Sequence, residues 1–305
     1  MPSRSDRFSE GHMSIPARLV LAFFRIGWGH APVSALAQTV VPVQGLGSTS
    51  GVAIDRNGNL YGSTSSTGSS SPNSVFEVPA INGSLPPYAS QTLRTLAGGF
   101  SSPQQVAVDG SGDVFVADSG NSAVKEIMAV NGSIPPSPTI RTVGSGFSQP
   151  AGLAFDGNGN LFVTDVGTLQ IYEIQAVGGR IPPLPTIQTV NTSFSLFGPT
   201  CIAVDASNNL YVGDSNGNVY VIYAVGGSIP PSPTMALLRH FGTGSPLGLA
   251  VDGHGNVFVS TYRFTPSIGG LYEMLAVNGS VPPFDFSDDL PPVTIALPGP
   301  PPTGA

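Results

Sequence analysis

A short sequence pattern returns five times in this chain of 305 residues, and it constrains the fold more than any other feature. Each copy is an apolar run that ends in an aspartate, then a turn rich in glycine and asparagine, then a second apolar run. The aspartates of successive copies lie 47 to 54 residues apart: Asp55, Asp109, Asp156, Asp205 and Asp252. A regular spacing in this range predicts a repeat architecture in which every copy is one structural unit.

Each repeat contains four short runs with strand character, which we name A to D in chain order. In the second repeat, strand A is Val106–Asp109 and strand C begins at Val124 with alternating buried and exposed positions. Strand B is rich in β-branched and aromatic residues, as in Leu161–Asp165, and the A–B turn carries the glycine and asparagine that tight hairpins require. Strand D recurs as the threonine-rich run that begins at Thr139. Four antiparallel strands per repeat without helical periodicity predict an all-β fold, a β-propeller of five recognisable four-stranded blades.

The ends of the chain differ in composition from the repeats. We predict a leader over residues 1–37, a propeller over residues 38–297 and a Pro/Gly-rich tail over residues 298–305. Thr39–Val43 resembles one extra strand D and Val293–Leu297 another, and either of them can complete the fifth blade. A closed five-bladed ring and an incomplete six-fold arc are therefore both compatible with the sequence.

The leader has the pattern of a secretory signal peptide. Arg4, Arg7 and Arg18 precede the apolar stretch Leu19–Phe24, and the small residues Ser34–Ala37 are typical of a cleavage site. The pattern predicts a secreted, periplasmic or envelope-associated protein. The alternative is a leader without a targeting role or a misassigned start of translation.

The charge of the chain excludes several classes of partner. Only 10% of the residues are charged, the formal net charge is −7, and Lys125 is the only lysine. A nucleic-acid-binding protein needs a basic surface that this composition does not provide. No run reaches the roughly 20 apolar residues of a membrane-spanning helix. Cys201, the single cysteine, lies in an apolar strand pattern and is predicted to be a small buried hydrophobe. Separately, we predict that the protein is a monomer.

The repeat resembles the NHL-repeat family of β-propellers. The elements that carry the resemblance are clearest at Pro150–Asp165 and return in variant form at Pro103–Asp118. The resemblance covers essentially Gln38–Leu297. It implies a propeller, usually of six blades, whereas five A–B–C units are present here. The NHL-repeat family includes extracellular sensors, protein- and RNA-binding modules and some lyase or lactonase relatives, so the resemblance implies one of these functions.

Loop length points to one face of the propeller. Antiparallel connections place the B–C and D–A loops on one face, where the sequence varies between repeats. The B–C loops are long in the first and last repeats, at Thr64–Asn73 and Thr261–Gly270. Within the second of these, Tyr262, Arg263 and Phe264 form an aromatic and cationic group suited to anchoring a ligand. The alternative is that the long loops seal the junction between the terminal blades.

Three aspartates end strand B in consecutive repeats and are further candidate ligand-binding residues: Asp118, Asp165 and Asp214. Calcium requires six to eight oxygen ligands at about 2.3–2.6 Å. Equivalent residues of adjacent blades lie on the order of 10 Å apart, so the three carboxylates are not expected to share an ion. The alternative role is a hydrogen bond from each aspartate to its own following loop. We predict neither a metal nor another cofactor.

Motifs for catalysis are scarce in the sequence. After the leader only His240 and His254 remain as histidines, and neither GxSxG nor HExxH occurs. We therefore expect no catalytic residue and a non-catalytic binding module of an exported bacterial protein, with a protein, peptide or glycan bound on the B–C/D–A face. The alternative, implied by the resemblance, is a metal-dependent enzyme of the streptogramin-lyase or gluconolactonase type.

Overall fold

The computed structural model describes residues 49–65, 73–87, 90–192, 195–242, 244–262, 269–276, 281 and 293–294. The chain forms five antiparallel sheets of four strands each, arranged in a ring. This is a five-bladed β-propeller, and the predicted all-β class is confirmed. A search of the described residues for a helix long and apolar enough to cross a membrane finds none.

Each blade is one consecutive segment of the chain, with strands A to D in order from the centre to the rim. The first blade comprises β1 (Thr49–Ile54), β2 (Leu60–Thr64), β3 (Ser74–Val78) and β4 (Arg94–Gly98). The second comprises β5 (Pro103–Val108), β6 (Val114–Asp118), β7 (Ala123–Ile127) and β8 (Ile140–Thr142). The third comprises β9 (Pro150–Phe155), β10 (Leu161–Asp165), β11 (Gln170–Ile174) and β12 (Ile187–Thr189).

The fourth blade comprises β13 (Pro199–Val204), β14 (Leu210–Asp214), β15 (Asn218–Ile222) and β16 (Met235–His240). The fifth comprises β17 (Ser245–Val251), β18 (Val257–Tyr262), β19 (Gly269–Met274) and β20 (Val293–Thr294). The C-terminal strand predicted at Val293–Leu297 is therefore present as β20, which pairs with β19 and is the fourth strand of the fifth blade. The N-terminal candidate strand, Thr39–Val43, lies outside the described residues.

Small residues on the inner strands allow the blades to meet at the centre. A Cβ atom on Gly51 would lie 2.5 Å from the Cα atom of Gln105 on the next inner strand. That distance leaves no room for a side chain. Outside this ring, apolar side chains of consecutive blades interleave, as where Phe115 and Val124 pack with Leu153 and Leu161. Burial of such side chains is the main stabilising term for the fold.

Polar residues of the repeat fix its turns. Oδ1 of Asp156 accepts hydrogen bonds from the backbone N–H groups of Asn158 (2.9 Å) and Asn160 (2.8 Å), which closes the A–B turn. In the C–D connection, Asn131 and Gly132 have φ angles of 53° and 79°. This left-handed backbone confirms that the Asn-Gly dipeptide is a turn device.

The arginines of strand D connect neighbouring blades. Arg141 lies on the outer strand of the second blade, but its side chain is only 21% exposed. Its Nε donates to the buried Glu126 (2.5 Å), and its Nη2 donates to the carbonyl of Ile181 in the next blade (2.7 Å). Arg94 makes the same pair of contacts with Glu77 and Ile134. The recurring glutamates of strand C are therefore structural.

The prediction for the single cysteine is confirmed. Cys201 is fully buried, and burial raises the pKa of its thiol to about 12, so it behaves as a small hydrophobe. His254 lies in the A–B turn of the fifth blade with a side chain that is 85% exposed.

The A–B turn of the second blade carries a carboxylate where the other blades carry an amide. At this position Asn59, Asn160, Asn209 and Asn256 each donate Nδ2 to the turn aspartate, at distances between 2.7 and 2.9 Å. Asp113 stands there in the second blade and has no such proton to donate when ionised. Nη2 of Arg180, from the next blade, lies 3.9 Å from Asp113 and offsets part of the repulsion.

We expect Asp113→Asn to stabilise the protein at neutral pH by about 1–2 kcal/mol, because it restores a hydrogen bond to the charged Asp109. Burial, followed by the Asp113 charge, raises the pKa of Asp109 above its ordinary value. The folded state thus binds more protons than the unfolded state, and wild-type stability falls as pH rises through this window. The gain from the substitution should therefore be largest at pH 7 and shrink below pH 4. Urea unfolding at both pH values measures it.

The mirror substitution is Asn160→Asp in the third blade, where a serine (Ser228) occupies the place of Arg180 in the following blade. It should destabilise the protein at pH 7 by at least the amount that Asp113→Asn stabilises it. Equal stability of Asp113→Asn and the wild type would mean that Arg180 already neutralises the pair.

Candidate functional site

A cavity lies at the centre of the ring, where the D–A loops enter the inner strands. Its volume is about 760 Å³, within the range of small-molecule sites in proteins. Residues at the start of every inner strand line it, together with the loop residues Ser119, Gln149 and Val166. The cavity also extends along the surface of the fifth blade that faces the first, over Phe258, Ser260 and Leu271.

The two sides of this central cavity differ in chemistry. One side carries hydroxyl and amide groups, from Ser50, Gln104, Gln105, Gln149 and Thr200. The other side is apolar and comes mainly from the fifth blade, where Leu247 is 57% exposed. None of the described lining residues carries a charge. Such a cavity suits a neutral ligand with hydroxyl groups on one face and an apolar surface on the other.

Hydrogen bonds hold the polar side of the cavity in place. Oγ1 of Thr200 donates to the carbonyl of Pro246 in the fifth blade (2.6 Å). Nε2 of Gln104 donates to the carbonyl of Ser102 (3.3 Å). Oε1 of Gln105 accepts from the backbone N–H of Leu153 on the inner strand of the third blade (3.3 Å). These bonds orient the side chains toward a ligand before it binds, which reduces the entropic cost of binding.

The three aspartates predicted as ligand-binding residues end strand B, next to the inner strands that line the cavity, and they are fully buried. Asp118 accepts from the backbone N–H of Ser101 (2.6 Å), from Nδ2 of Asn121 (2.8 Å) and from Nζ of Lys125 (2.7 Å). Each carboxylate thus connects a D–A loop with the B–C loop of its own blade.

Asp165 and Asp214 repeat this arrangement. Asp165 accepts four backbone N–H groups, and Asp214 accepts from Nδ2 of Asn218 (3.1 Å) and from backbone groups of its loop. Their described contacts are those of the alternative role, hydrogen bonding within the blade. Direct ligand binding by the three aspartates stays a prediction.

The predicted aromatic and cationic group is only partly described. Tyr262 ends β18 and is 38% exposed. Arg263 and Phe264 lie outside the described residues. Their role as ligand anchors therefore stays a prediction.

The donor set of the cavity does not fit the metal-dependent alternative. A divalent metal site needs several carboxylate, imidazole or thiolate ligands. The described lining residues offer amides, hydroxyls and apolar groups. Elsewhere in the described part of the chain, no three His, Cys, Asp or Glu side chains are grouped so that they could hold an ion.

The sequence analysis missed the glutamines of the cavity. A signal was present, because the repeat places Gly51, Gly152, Cys201 and Gly248 where the second blade has Gln105. A long amide at a position of small residues is a departure from the repeat. It is less conspicuous than the differences in loop length on which the site prediction rested.

Comparison with known protein families finds a match to one part of the chain. The family model described as "NHL repeat" matches residues 100–127, which cover most of the second blade. No match was found among curated protein sequences.

Solved structures of the same fold cover more of the chain. A Bacteroides uniformis protein assigned as a 6-phosphogluconolactonase has a TM-score of 0.56 at 13% identity, over 80% of this chain and 72% of its own. A catalytically inactive virginiamycin B lyase from Staphylococcus aureus, solved with quinupristin, has a TM-score of 0.50 at 12% identity, over 75% and 71%. A gluconolactonase from Xanthomonas campestris has a TM-score of 0.50 at 17% identity, over 70% and 69%.

These comparisons correct the expectation of a non-catalytic binding module, which was wrong. Several solved propellers of the same fold are named as lactonases or as a lyase, the kinds of enzyme that the alternative had named. The expectation rested on the scarcity of catalytic motifs. That argument was weak because a propeller assembles its central site from single residues of distant blades, and such a site has no local motif.

Proposed function

We propose that the chain is a lactonase-like enzyme acting on a neutral, hydroxylated cyclic ester, which would bind in the uncharged central cavity of the propeller. The observation that carries the proposal is the chemistry of the cavity, with amides and hydroxyls on one side and leucine and phenylalanine on the other. The similarity to lactonase propellers supports the reaction class.

The uncharged lining favours a lactonase over a lyase. Elimination by a lyase begins with abstraction of a proton by a general base, and the described lining contains no carboxylate or imidazole to accept it. Hydrolysis of a lactone adds water to the carbonyl carbon and breaks the ring C–O bond, and the proton of the attacking water passes through solvent to the departing ring oxygen. Negative charge forms transiently on the carbonyl oxygen. Neutral hydrogen-bond donors directed at that oxygen stabilise the charge without themselves titrating.

The polar side of the cavity would bind the hydroxyl groups of such a substrate. Gln104 and Thr200 can each accept hydrogen bonds from ring hydroxyls through an oxygen lone pair. Leu247 and Phe258 would pack against the C–H face of the ring and remove it from water. The described residues thus bind, orient and desolvate the substrate.

We expect the purified protein to accelerate the opening of glucono-1,5-lactone, measured as acid release with a pH indicator. Filling the cavity by Leu247→Trp should lower kcat/KM at least about tenfold, since a displacement of about 1 Å in a site costs up to a hundredfold. Leu184→Trp is the matched control, because Leu184 is 93% exposed outside the cavity. It should retain the wild-type rate.

Two results would contradict this assignment. Equal loss in both tryptophan variants would place the activity outside the central cavity. Complete loss of activity after chelation of divalent metals, with recovery on adding calcium or magnesium, would show a metal-dependent reaction that the described lining does not account for.

Several sequence predictions are kept as proposals. The leader over residues 1–37 is proposed to direct export, which would place the enzyme in the envelope or outside the cell. The monomeric state is likewise a proposal. The Pro/Gly-rich tail, residues 298–305, lies outside the described residues.

A further inference from the structure

One position of the repeat, near the start of each inner strand, holds a small residue in every blade except the second. Four of the five positions hold Gly51, Gly152, Cys201 and Gly248, whereas the second blade holds Gln105. Crowding explains the small residues, because a Cβ on Gly51 would already lie 2.5 Å from the Cα of Gln105. The long side chain of Gln105 reaches the N–H of Leu153 in the third blade, and Gln105 is among the residues that line the cavity.

The hydrogen bond of Gln105 sets the direction of its amide. The backbone N–H of Leu153 is a donor, so the amide atom that it contacts at 3.3 Å must be the acceptor Oε1. The other amide atom, the Nε2 donor, is therefore turned away from Leu153. Leu153 belongs to an inner strand whose inward edge has no further strand beside it.

Nε2 of Gln105 remains available to a ligand. It makes no hydrogen bond with any residue in the described part of the chain, although no buried side-chain nitrogen or oxygen there lacks a partner. Nε2 must therefore be accessible to solvent, and the solvent next to Gln105 is that of the cavity. An oriented amide with two N–H donors facing an uncharged cavity is a recognition site for a hydrogen-bond acceptor.

We propose that Gln105 recognises the carbonyl oxygen of the cyclic ester by donating from Nε2, and so determines specificity for carbonyl-bearing rings. This proposal rests on the function proposed above. A carbonyl oxygen is a pure acceptor, which matches a donor whose own oxygen is already held by Leu153. The same donor lies where it can stabilise negative charge on that oxygen during hydrolysis.

The test compares two stable ligands that undergo no hydrolysis. Glucono-1,5-lactam retains the ring carbonyl, and 1,5-anhydroglucitol lacks it. For the wild type, isothermal titration calorimetry should give a dissociation constant about fivefold lower for the lactam than for the anhydroglucitol, the ratio of one net hydrogen bond.

Two variants separate recognition from a structural role. Gln105→Glu keeps an oxygen for the N–H of Leu153 and removes the amide donor, whereas Gln105→Met keeps the length and removes both groups. If Gln105 recognises the carbonyl, the fivefold preference should disappear in both variants. If Gln105 only holds Leu153, Gln105→Glu should retain the preference and the melting temperature of the wild type, and the proposal is wrong.

The remaining outcomes separate this inference from the proposed function. Binding of both ligands by the wild type with equal affinity would overturn the role of Gln105 and leave the cavity as the ligand site. Binding of neither ligand would overturn the proposed function for this class of ring, and the role of Gln105 with it. Should Gln105→Glu not fold, the ratio measured with Gln105→Met decides.

Discussion

Asp165→Ala should lower the free energy of unfolding by about 3–5 kcal/mol, because the substitution leaves several buried donors without an acceptor. The carboxylate is fully buried and accepts four backbone N–H groups. Two belong to the D–A loop, Ser148 at 2.7 Å and Gln149 at 2.9 Å. The other two belong to the B–C loop, Gly167 at 2.9 Å and Thr168 at 3.1 Å. Equilibrium unfolding in urea measures the loss, which corresponds to a fall in melting temperature on the order of 10 °C.

Asp165→Asn is the graded control for this prediction. An asparagine oxygen can replace Oδ1 and keep the bonds to Gln149, Gly167 and Thr168, while its NH₂ group faces the N–H of Ser148. We expect a loss smaller than that of Asp165→Ala. A loss below about 1 kcal/mol for the alanine variant would mean that water satisfies the four donors in place of the carboxylate.

Asp165 also affects the central cavity. Gln149 and Val166, which line the cavity, lie on the two loops that this carboxylate connects. The aspartate that ends strand B is therefore a residue that positions the site from behind. Because backbone hydrogen bonds leave no trace in a list of residue types, both ligand binding and loop bracing remained open as roles of these aspartates before the structure was known.

Most of the fold could be predicted from the sequence, because the same pattern of strand and turn residues recurs in five repeats. Local backbone geometry explains the turns at Asp156 and Asn131 and the small residue at Gly51. Such geometry depends mainly on residues that are close in sequence, so the sequence predicts it. The brace from Arg141 to Ile181 was not predicted. It joins residues of different blades, and the sequence pattern contains no information on which side chain of one repeat reaches the next.

The candidate site was harder to predict for the same reason. Gln105 and Thr200 belong to different repeats, and only the packing of successive blades around a common centre brings them to one cavity. Their amide and hydroxyl groups match no catalytic motif. The sequence did contain one indication of the site. A position that holds glycine or cysteine in four repeats holds glutamine, Gln105, in the second repeat.

Gly159→Ala should be the most damaging substitution in the A–B turns, with a loss of about 3 kcal/mol in the free energy of unfolding from left-handed strain and overpacking together. Gly159 has a φ of 87°, and a Cβ atom there would lie 2.7 Å from the carbonyl oxygen of Gly179 in the C–D turn. Gly253→Ala is the matched control, since nothing lies within 4 Å of its Cβ position. It should change stability by less than about 0.5 kcal/mol in urea unfolding.

The fourth blade supplies a sharper comparison, because Asn208 occupies the place of Gly159 with a φ of 66°. Nδ2 of Asn208 donates to the carbonyl of Gly227 (2.8 Å), the counterpart of the carbonyl that a Cβ on Gly159 would approach. Asparagine also tolerates the left-handed backbone better than alanine does. Gly159→Asn should therefore be less destabilising than Gly159→Ala although its side chain is larger. The opposite order would show that contact with Gly179, rather than backbone strain and the missing hydrogen bond, limits this turn.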